Sequence, residues 1–359
     1  MHLKNSYFSN CGSAILESYN SKFASVKNTI FSKNNSSIYI RDVFSAEIKG
    51  CSFVENQGYL ILDQSYDNGS TLTIDSVSFT DNEGNLVMGG KVGVDIVNSN
   101  FYNTSGHVNN SSSSMSIRNC KIEKSEGIWL NPSTPLVDVD SCIFNENVTG
   151  LMYGLSSNLS FHNSIVKDNV NIPIFQINNG FIDKSTFYNN HHGYTDATPM
   201  ITVEDTIKVE NSTFSNNRSG YSIFFSGSSD GKIIITNNTI LGVRKDIVSN
   251  KAKASLKGNI ILYNDSVDMS GGTVVPSVHE YESFSKISLF ENNLIFGTET
   301  MSGFKIGSNK FVDEHEIGEL LEGSYTTEGF QIFIPVLKDN GGFTPTVALK
   351  SDKLSDGRS

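Results

Sequence analysis

The sequence predicts an all-β fold, a right-handed parallel β-helix (solenoid) of about 12 coils with three short strands each. Three observations predict it. A Phe-centred unit recurs about every 23 residues. Each repeat holds three short apolar stretches with two-residue alternation. Asn, Ser and Gly crowd the junctions, whereas the whole chain has only 7 Pro, a composition suited to short strands joined by tight turns.

The central unit comes first. It reads Asn28-Thr-Ile-Phe31-Ser-Lys-Asn34, Gly50-Cys-Ser-Phe53-Val-Glu-Asn56, Ser76-Val-Ser-Phe79-Thr-Asp-Asn82, and so on to Asn259-Ile-Ile-Leu262. The bulky position falls at residues 8, 31, 53, 79, 101, 122, 144, 166, 187, 214, 241 and 262, and eight of these twelve are Phe. Residues of one type at one register position stack when coils pile up in parallel, so this position is expected to face inward. Two residues earlier lies a small inward position, including Ser6, Thr29, Cys51, Ser99, Cys120, Cys142, Ser164, Ser185, Ser212 and Thr239. Three residues after the bulky one comes Asn34, Asn56, Asn82, Asn147, Asn169, Asn190 or Asn217. Asn suits this corner twice over, because it tolerates the left-handed backbone of a tight turn and its amide can hydrogen-bond from coil to coil.

A second stretch precedes the bulky position by seven and five residues, as in Leu72/Ile74, Val94/Ile96, Val137/Val139 and Ile207/Val209. A third follows it, as in Ile38-Tyr-Ile40, Leu60-Ile-Leu62 and Ile223-Phe-Phe225. A period in the twenties also fits a leucine-rich repeat, but no segment shows the i, i+3, i+4 spacing of a helix. Twelve coils at the strand spacing of ~4.8 Å predict a rod on the order of 55–60 Å. The repeats are expected over residues 1–263. Residues 264–359 break the period and are expected to form irregular last coils and an end cap, since open strand edges need cover.

Net charge −11 argues against nucleic acid or an anionic membrane as partner, because both need a basic face. No stretch of 18 apolar residues spans a membrane. The four cysteines lack metal-site spacing, so no cofactor or metal is expected. Cys120 and Cys142 share a ladder position on adjacent coils but point the same way, so both thiols are expected to be free. Met1-His2-Leu3-Lys4 lacks the apolar core of a secretion signal. Signal and anchor are therefore expected outside this chain.

The Phe-x-x-Asn units at Phe31, Phe53, Phe79, Phe144, Phe187, Phe214 and Phe290 resemble the repeats of bacterial β-helix surface proteins, including polymorphic outer-membrane autotransporter passengers. The stretch Asp339-Asn-Gly-Gly-Phe-Thr-Pro-Thr-Val-Ala-Leu349 is similar to the motif that closes β-helix domains of the choice-of-anchor type. These resemblances imply a secreted or cell-surface bacterial protein, monomeric, acting as an adhesin or as a module that touches a polysaccharide or host-surface glycan.

The same fold hosts carbohydrate-active enzymes, which form the rival reading. Its hydrolases resemble one another in Asn-Thr-Asp, Asp-Asp, Gly-His-Gly and Arg-Ile-Lys motifs, and none of the four is in this chain. Its lyases need carboxylates beside a basic residue, which the run Arg118, Lys121, Glu123, Lys124 imitates. No catalytic residue is assigned, and a purely structural stalk is the third reading. Candidate ligand-binding residues are Tyr102, Tyr188, His191, His192 and Tyr194. Tyr102 and Tyr188 each follow the bulky residue and are expected to face outward, about 19 Å apart by the strand spacing. The other three lie in one of the longest coils. Ring stacking on sugars is the chemistry such exposed aromatics offer. The run Asp313-Glu-His-Glu316 lacks the spacing of a calcium loop and reads as solvated surface.

Overall fold

The computed structural model describes residues 1–263 except 13–14, 64–68, 86, 90–92, 107, 111–113, 127–129, 133–135, 149, 171–173, 192–198, 218–221, 227–230, 244–245 and 250–252. Beyond 263 it describes 287–291, 293–296, 310–312, 323–325, 333–335, 337–338 and 346–347. The fold is an all-β, right-handed parallel β-helix, with no helix among the described residues. The chain divides into two compact units, Met1–Asn179 and Gly180–Ser359.

One coil of the first unit shows how the repeat folds. Its first strand is Thr71–Asp75, its second Ser78–Thr80 and its third Val87–Gly89. The first strand lies between Ser45–Lys49 and Gly93–Val97 in parallel register, with Leu72 opposite Ala46 and Val94, and Ile74 opposite Ile48 and Ile96. Alternation sends Leu72 and Ile74 inward, where both are fully buried. The second strand puts Phe79 between Phe53 and Phe101. The third pairs with Tyr59–Asp63 and Val108–Asn110.

The Phe column is a continuous stack. Ring centroids from Phe31 through Phe53 and Phe79 to Phe101 step by 4.8, 5.0 and 4.6 Å, with planes within 10°. That step is the strand spacing itself, so backbone pairing and ring contact reinforce each other. Ile122, Phe144 and Val166 continue the column. In the second unit Phe187 stacks on Phe214 at 4.7 Å.

The phase of the last two sequence repeats needs correction. Phe214 stands opposite Ile240, not Leu241, and Ile240 opposite Ile261, not Leu262. Thr239 is therefore not in the small inward ladder; Asn238 takes that place, and it is buried. A coil containing two adjacent bulky residues gave the repeat no internal marker of which one points inward.

The corners also differ from expectation. Among the described residues, the corners that flank the second strand each hold one residue in the left-handed conformation, and Asn20 and Asp42 mark a third such turn in the first two coils. At the corner between first and second strands these are Asn5, Asn28, Gly50, Ser76, Asn98, Asn119, Ser141 and Asn163 in the first unit. At the corner after the second strand they include Lys33, Glu55, Asp81, Asn103, Lys124, Glu146 and Asp168. The ladder Asn is the next residue along, so it does not itself carry the left-handed turn. Its work is hydrogen bonding. Asn56 Nδ2 donates to Phe31 O (2.9 Å) and Asn82 Oδ1 (3.0 Å), while Asn56 Oδ1 accepts from the Asn34 backbone N and Nδ2, both at 3.0 Å. Buried amides so satisfied do not carry a desolvation penalty. Thr104 and Ser125 replace Asn in two coils and bond each other at 3.1 Å.

In the second unit Asn190 Nδ2 donates to Asn217 Oδ1 at 2.9 Å in the same corner. Further on, buried Asn appears at the other corner. Asn238 Nδ2 donates to Asn259 Oδ1 at 3.3 Å, and Asn259 Nδ2 to Asn293 Oδ1 at 3.0 Å. Two antiparallel pairs follow, Gly323–Tyr325 with Phe333–Pro335 and Leu337–Lys338 with Thr346–Val347.

All four cysteines are free, Cys120 and Cys142 as expected. The buried Cys120 and Cys142 thiols donate to the Arg118 and Asp140 carbonyls at 3.3 and 3.2 Å. A hydrogen bond with Cys120, together with burial, holds the Cys142 thiol well above the ordinary range.

Candidate functional site

The interior is filled by the ladders, so any ligand must meet the three outer faces. In the first unit, the outer face of the first strands is a run of ion pairs between adjacent coils. Lys27 Nζ meets Glu47 at 2.7 Å, Lys49 meets Asp75, and Arg118 Nη2 reaches both carboxylate oxygens of Asp95 at 2.9 Å. Asp75 also accepts from Asn98 Nδ2 (3.0 Å) and Ser76 Oγ (2.8 Å). The bonds from Lys49 and Asn98 hold its carboxyl down at about 2. Further along, Ser160 Oγ hydrogen-bonds His162 Nε2, and Asp140 accepts from Asn163 Nδ2 at 2.8 Å.

The outer face of the second strands carries Tyr102, Glu123, Asn145 and Lys167 opposite one another on successive coils. Tyr102 faces outward as expected, 43% exposed. Lys124 Nζ lies 5.8 Å from its ring centroid, over the ring. Lys121 meets Glu123 at 2.7 Å, and Asn145 Nδ2 donates to Glu123 Oε1 at 3.2 Å. Burial works to raise the Glu123 carboxyl, but these two bonds outweigh it and hold it below its usual value. The run that imitates a lyase is therefore split. Arg118 is engaged on the first-strand face, while Lys121 and Glu123 are engaged with each other around the corner.

The third-strand face of the first two coils holds a set the sequence reading missed. Glu17 stands opposite Tyr39, and Tyr19 opposite Arg41. Each strand alternates, so all four point outward. Tyr19 Oη donates to Glu17 Oε2 at 2.9 Å, and the Tyr19 and Tyr39 rings meet edge to face at 5.6 Å. The bond to Glu17 raises the Tyr19 phenol. Two-residue alternation and the spacing of 22 between positions 17 and 39, and 19 and 41, would have located this block had the outward residues been read as well as the inward ones.

In the second unit Tyr188 is half-buried, opposite Ser215. Thr213, Ser215 and Leu241, all turned outward on these second strands, are nonetheless buried, and strand Phe333–Pro335 packs against Thr239–Val243. His191 follows the buried ladder residue Asn190 and is partly exposed. His192, Tyr194 and the acidic run 313–319 lie outside the described residues.

One comparison with known proteins agrees with this fold over part of the chain. Residues 64–191 match the family described as a right handed beta helix region. The matched segment includes the Tyr102 column, the Lys121–Glu123 pair and the Arg118–Asp95 pair. No curated protein and no solved structure matches the chain.

Proposed function

We propose that this β-helix is a non-catalytic module that contacts glycans, displayed by a bacterium outside the cell in the manner of an adhesin. The observation that carries the reading is the state of the outer-face carboxylates. Asp75 is held ionised by Lys49 and Asn98 on neighbouring coils, and Glu123 by Lys121 on its own strand and Asn145 on the next coil. Glycoside hydrolysis needs, beside an ionised carboxylate, a second carboxyl kept protonated near neutral pH to serve the leaving oxygen, and neither Asp75 nor Glu123 is held in that state. Tyr102, exposed between paired charges, offers a ring on which a sugar can stack. In the second unit the candidate contact residues are Tyr188 and His191, with His192 and Tyr194 next to them in sequence. The similarity of Asp339–Leu349 to choice-of-anchor motifs supports surface display.

A glycan array tests this. The parent is expected to bind a glycan in the millimolar-to-micromolar range, with Tyr102→Ala weaker and Tyr188→Ala combined with Tyr194→Ala weaker again. Release of unsaturated or reducing ends from any polysaccharide overturns the non-catalytic reading. No binding across the array overturns glycan contact.

A further inference from the structure

The Glu17, Tyr19, Tyr39 and Arg41 block is laid out as a checkerboard. The two rings occupy one diagonal and the two opposite charges the other, across two paired strands. Side-chain columns on adjacent coils are ~4.8 Å apart, and alternate residues along one strand ~6.6 Å, dimensions close to those of one sugar ring. The rings are held in place. Tyr19 is tied through its hydroxyl to Glu17 and braced edge-on by Tyr39. Tyr19 is nevertheless 46% exposed. Arg41 Nε lies 3.4 Å from Asp42, itself beside the block, and leaves its remaining donors on an exposed side chain.

We infer that this block is a binding platform for one neutral hexose unit of a glycan chain, distinct from the Tyr102 column and resting on the glycan-contact reading. Each part has a matching role. Ring faces suit the apolar C–H face of a pyranose. The Glu17 carboxylate accepts from sugar hydroxyls, and the Arg41 guanidinium donates to them in charge-assisted bonds. Because Asp42 already offsets the Arg41 charge, the Glu17 carboxylate decides the charge preference, and the block favours a neutral sugar over a uronate, whose carboxylate Glu17 would repel. A purely apolar partner is also disfavoured, since docking it would strand both charges without water. A platform in the first coils and a ring column further along one solenoid also give a chain-like ligand two weak footholds, so that the second contact benefits from the first.

The test uses the full chain with cellohexaose and maltohexaose as neutral probes and an oligogalacturonate hexamer as the acidic one, read by saturation-transfer NMR and titration. The parent is expected to bind at least one neutral hexamer and to prefer it to the uronate. Tyr19→Ala and Tyr39→Ala should each weaken that binding about fivefold to tenfold. Tyr19→Phe, which keeps the ring, should stay within about threefold of the parent, and far-UV circular dichroism should be unchanged throughout. Four results overturn the inference: a parent that binds neither neutral hexamer, a parent that prefers the uronate, Tyr19→Ala and Tyr39→Ala variants that bind like the parent, or a parent dimer in sedimentation that Tyr19→Ala dissolves. If the array shows binding that Tyr102→Ala removes while Tyr19→Ala and Tyr39→Ala do not affect it, this platform fails and glycan contact stands. If the parent binds nothing on the array, both fail.

Discussion

In the first unit, the two corners that flank the second strand of each coil look alike in sequence and work differently. Both begin with one left-handed residue and continue with one buried residue. At the corner before the second strand the buried residue is small, as with Ser99, whose hydroxyl donates to Val97 O at 2.8 Å and accepts from Val77 N at 3.1 Å. At the corner after it, Asn56 makes four hydrogen bonds to two neighbouring coils. The second corner is therefore the more tightly tied of the two. A turn conformation can be met by any residue that accepts positive φ, whereas a bonding pattern can be met only by a particular side chain.

Glycine substitutions should show the largest difference. At the first corner, a Cβ on Gly50 would meet only the movable Asn28 side chain, 2.6 Å away. Where the chain leaves the second, three residues past the left-handed Asp81, a Cβ on Gly84, where φ is +101°, would fall 2.7 Å from the Gly58 carbonyl oxygen and 2.9 Å from its nitrogen. Backbone inside a ladder cannot give way. Gly84→Ala should cost about 3–5 kcal/mol and Gly50→Ala about 1–2 kcal/mol in urea unfolding. Equal costs would mean that the corners pack alike.

The next test separates neighbouring residues within one corner. Asn190 is the buried ladder residue, while Asn216, just before ladder residue Asn217, stands at φ 51°. Asn190→Val breaks buried amide bonds and should cost about 1–3 kcal/mol. A solvent-facing position would make Asn216→Val nearly neutral, but the left-handed backbone there penalises a β-branched residue, so it should cost about 1–2 kcal/mol. Asn216→Gly should restore stability to near the parent's. Melting curves on the three variants decide between strain and hydrogen bonding.

These cases show what could be read from the sequence. The solenoid, the Phe column and the buried Asn ladder were legible because each repeats with one residue type at one register position. The division of labour between Asn216 and Asn217 was not, because Asn serves both roles and sequence does not carry φ. The phase at Ile240 and Leu241 was hidden because either residue can fill the core. For the candidate site, the outward placement of Tyr102 followed from alternation. That Lys124 lies over it did not, since the lysine belongs to the next coil's corner. The Glu17–Arg41 block escaped because repeat finding weighs the constant inward residues and passes over the variable outward ones.

A smaller effect concerns the ion pairs flanking the first corner. The Asp75 carboxyl is held at about 2 in the folded chain, below its unfolded value of ~3.9, so its contribution is present above pH ~4 and is lost as pH falls toward 2. Asp75→Asn should therefore be less stable than the parent at pH 6, with the gap closing between about pH 4 and pH 2. A gap that persists unchanged at pH 2 would place the effect in packing instead.

The most direct test of the two-corner account is glycine at both kinds of Asn, measured by urea unfolding at pH 7. Asn98 takes the left-handed turn at φ 53° and is exposed, so Asn98→Gly keeps the backbone that position needs, gives up only exposed hydrogen bonds to Asp75 and Asn119, and should remain within about 1 kcal/mol of the parent. Asn56→Gly removes four buried hydrogen bonds and should lose about 3 kcal/mol or more. Equal losses, or a larger loss at Asn98, would contradict the account.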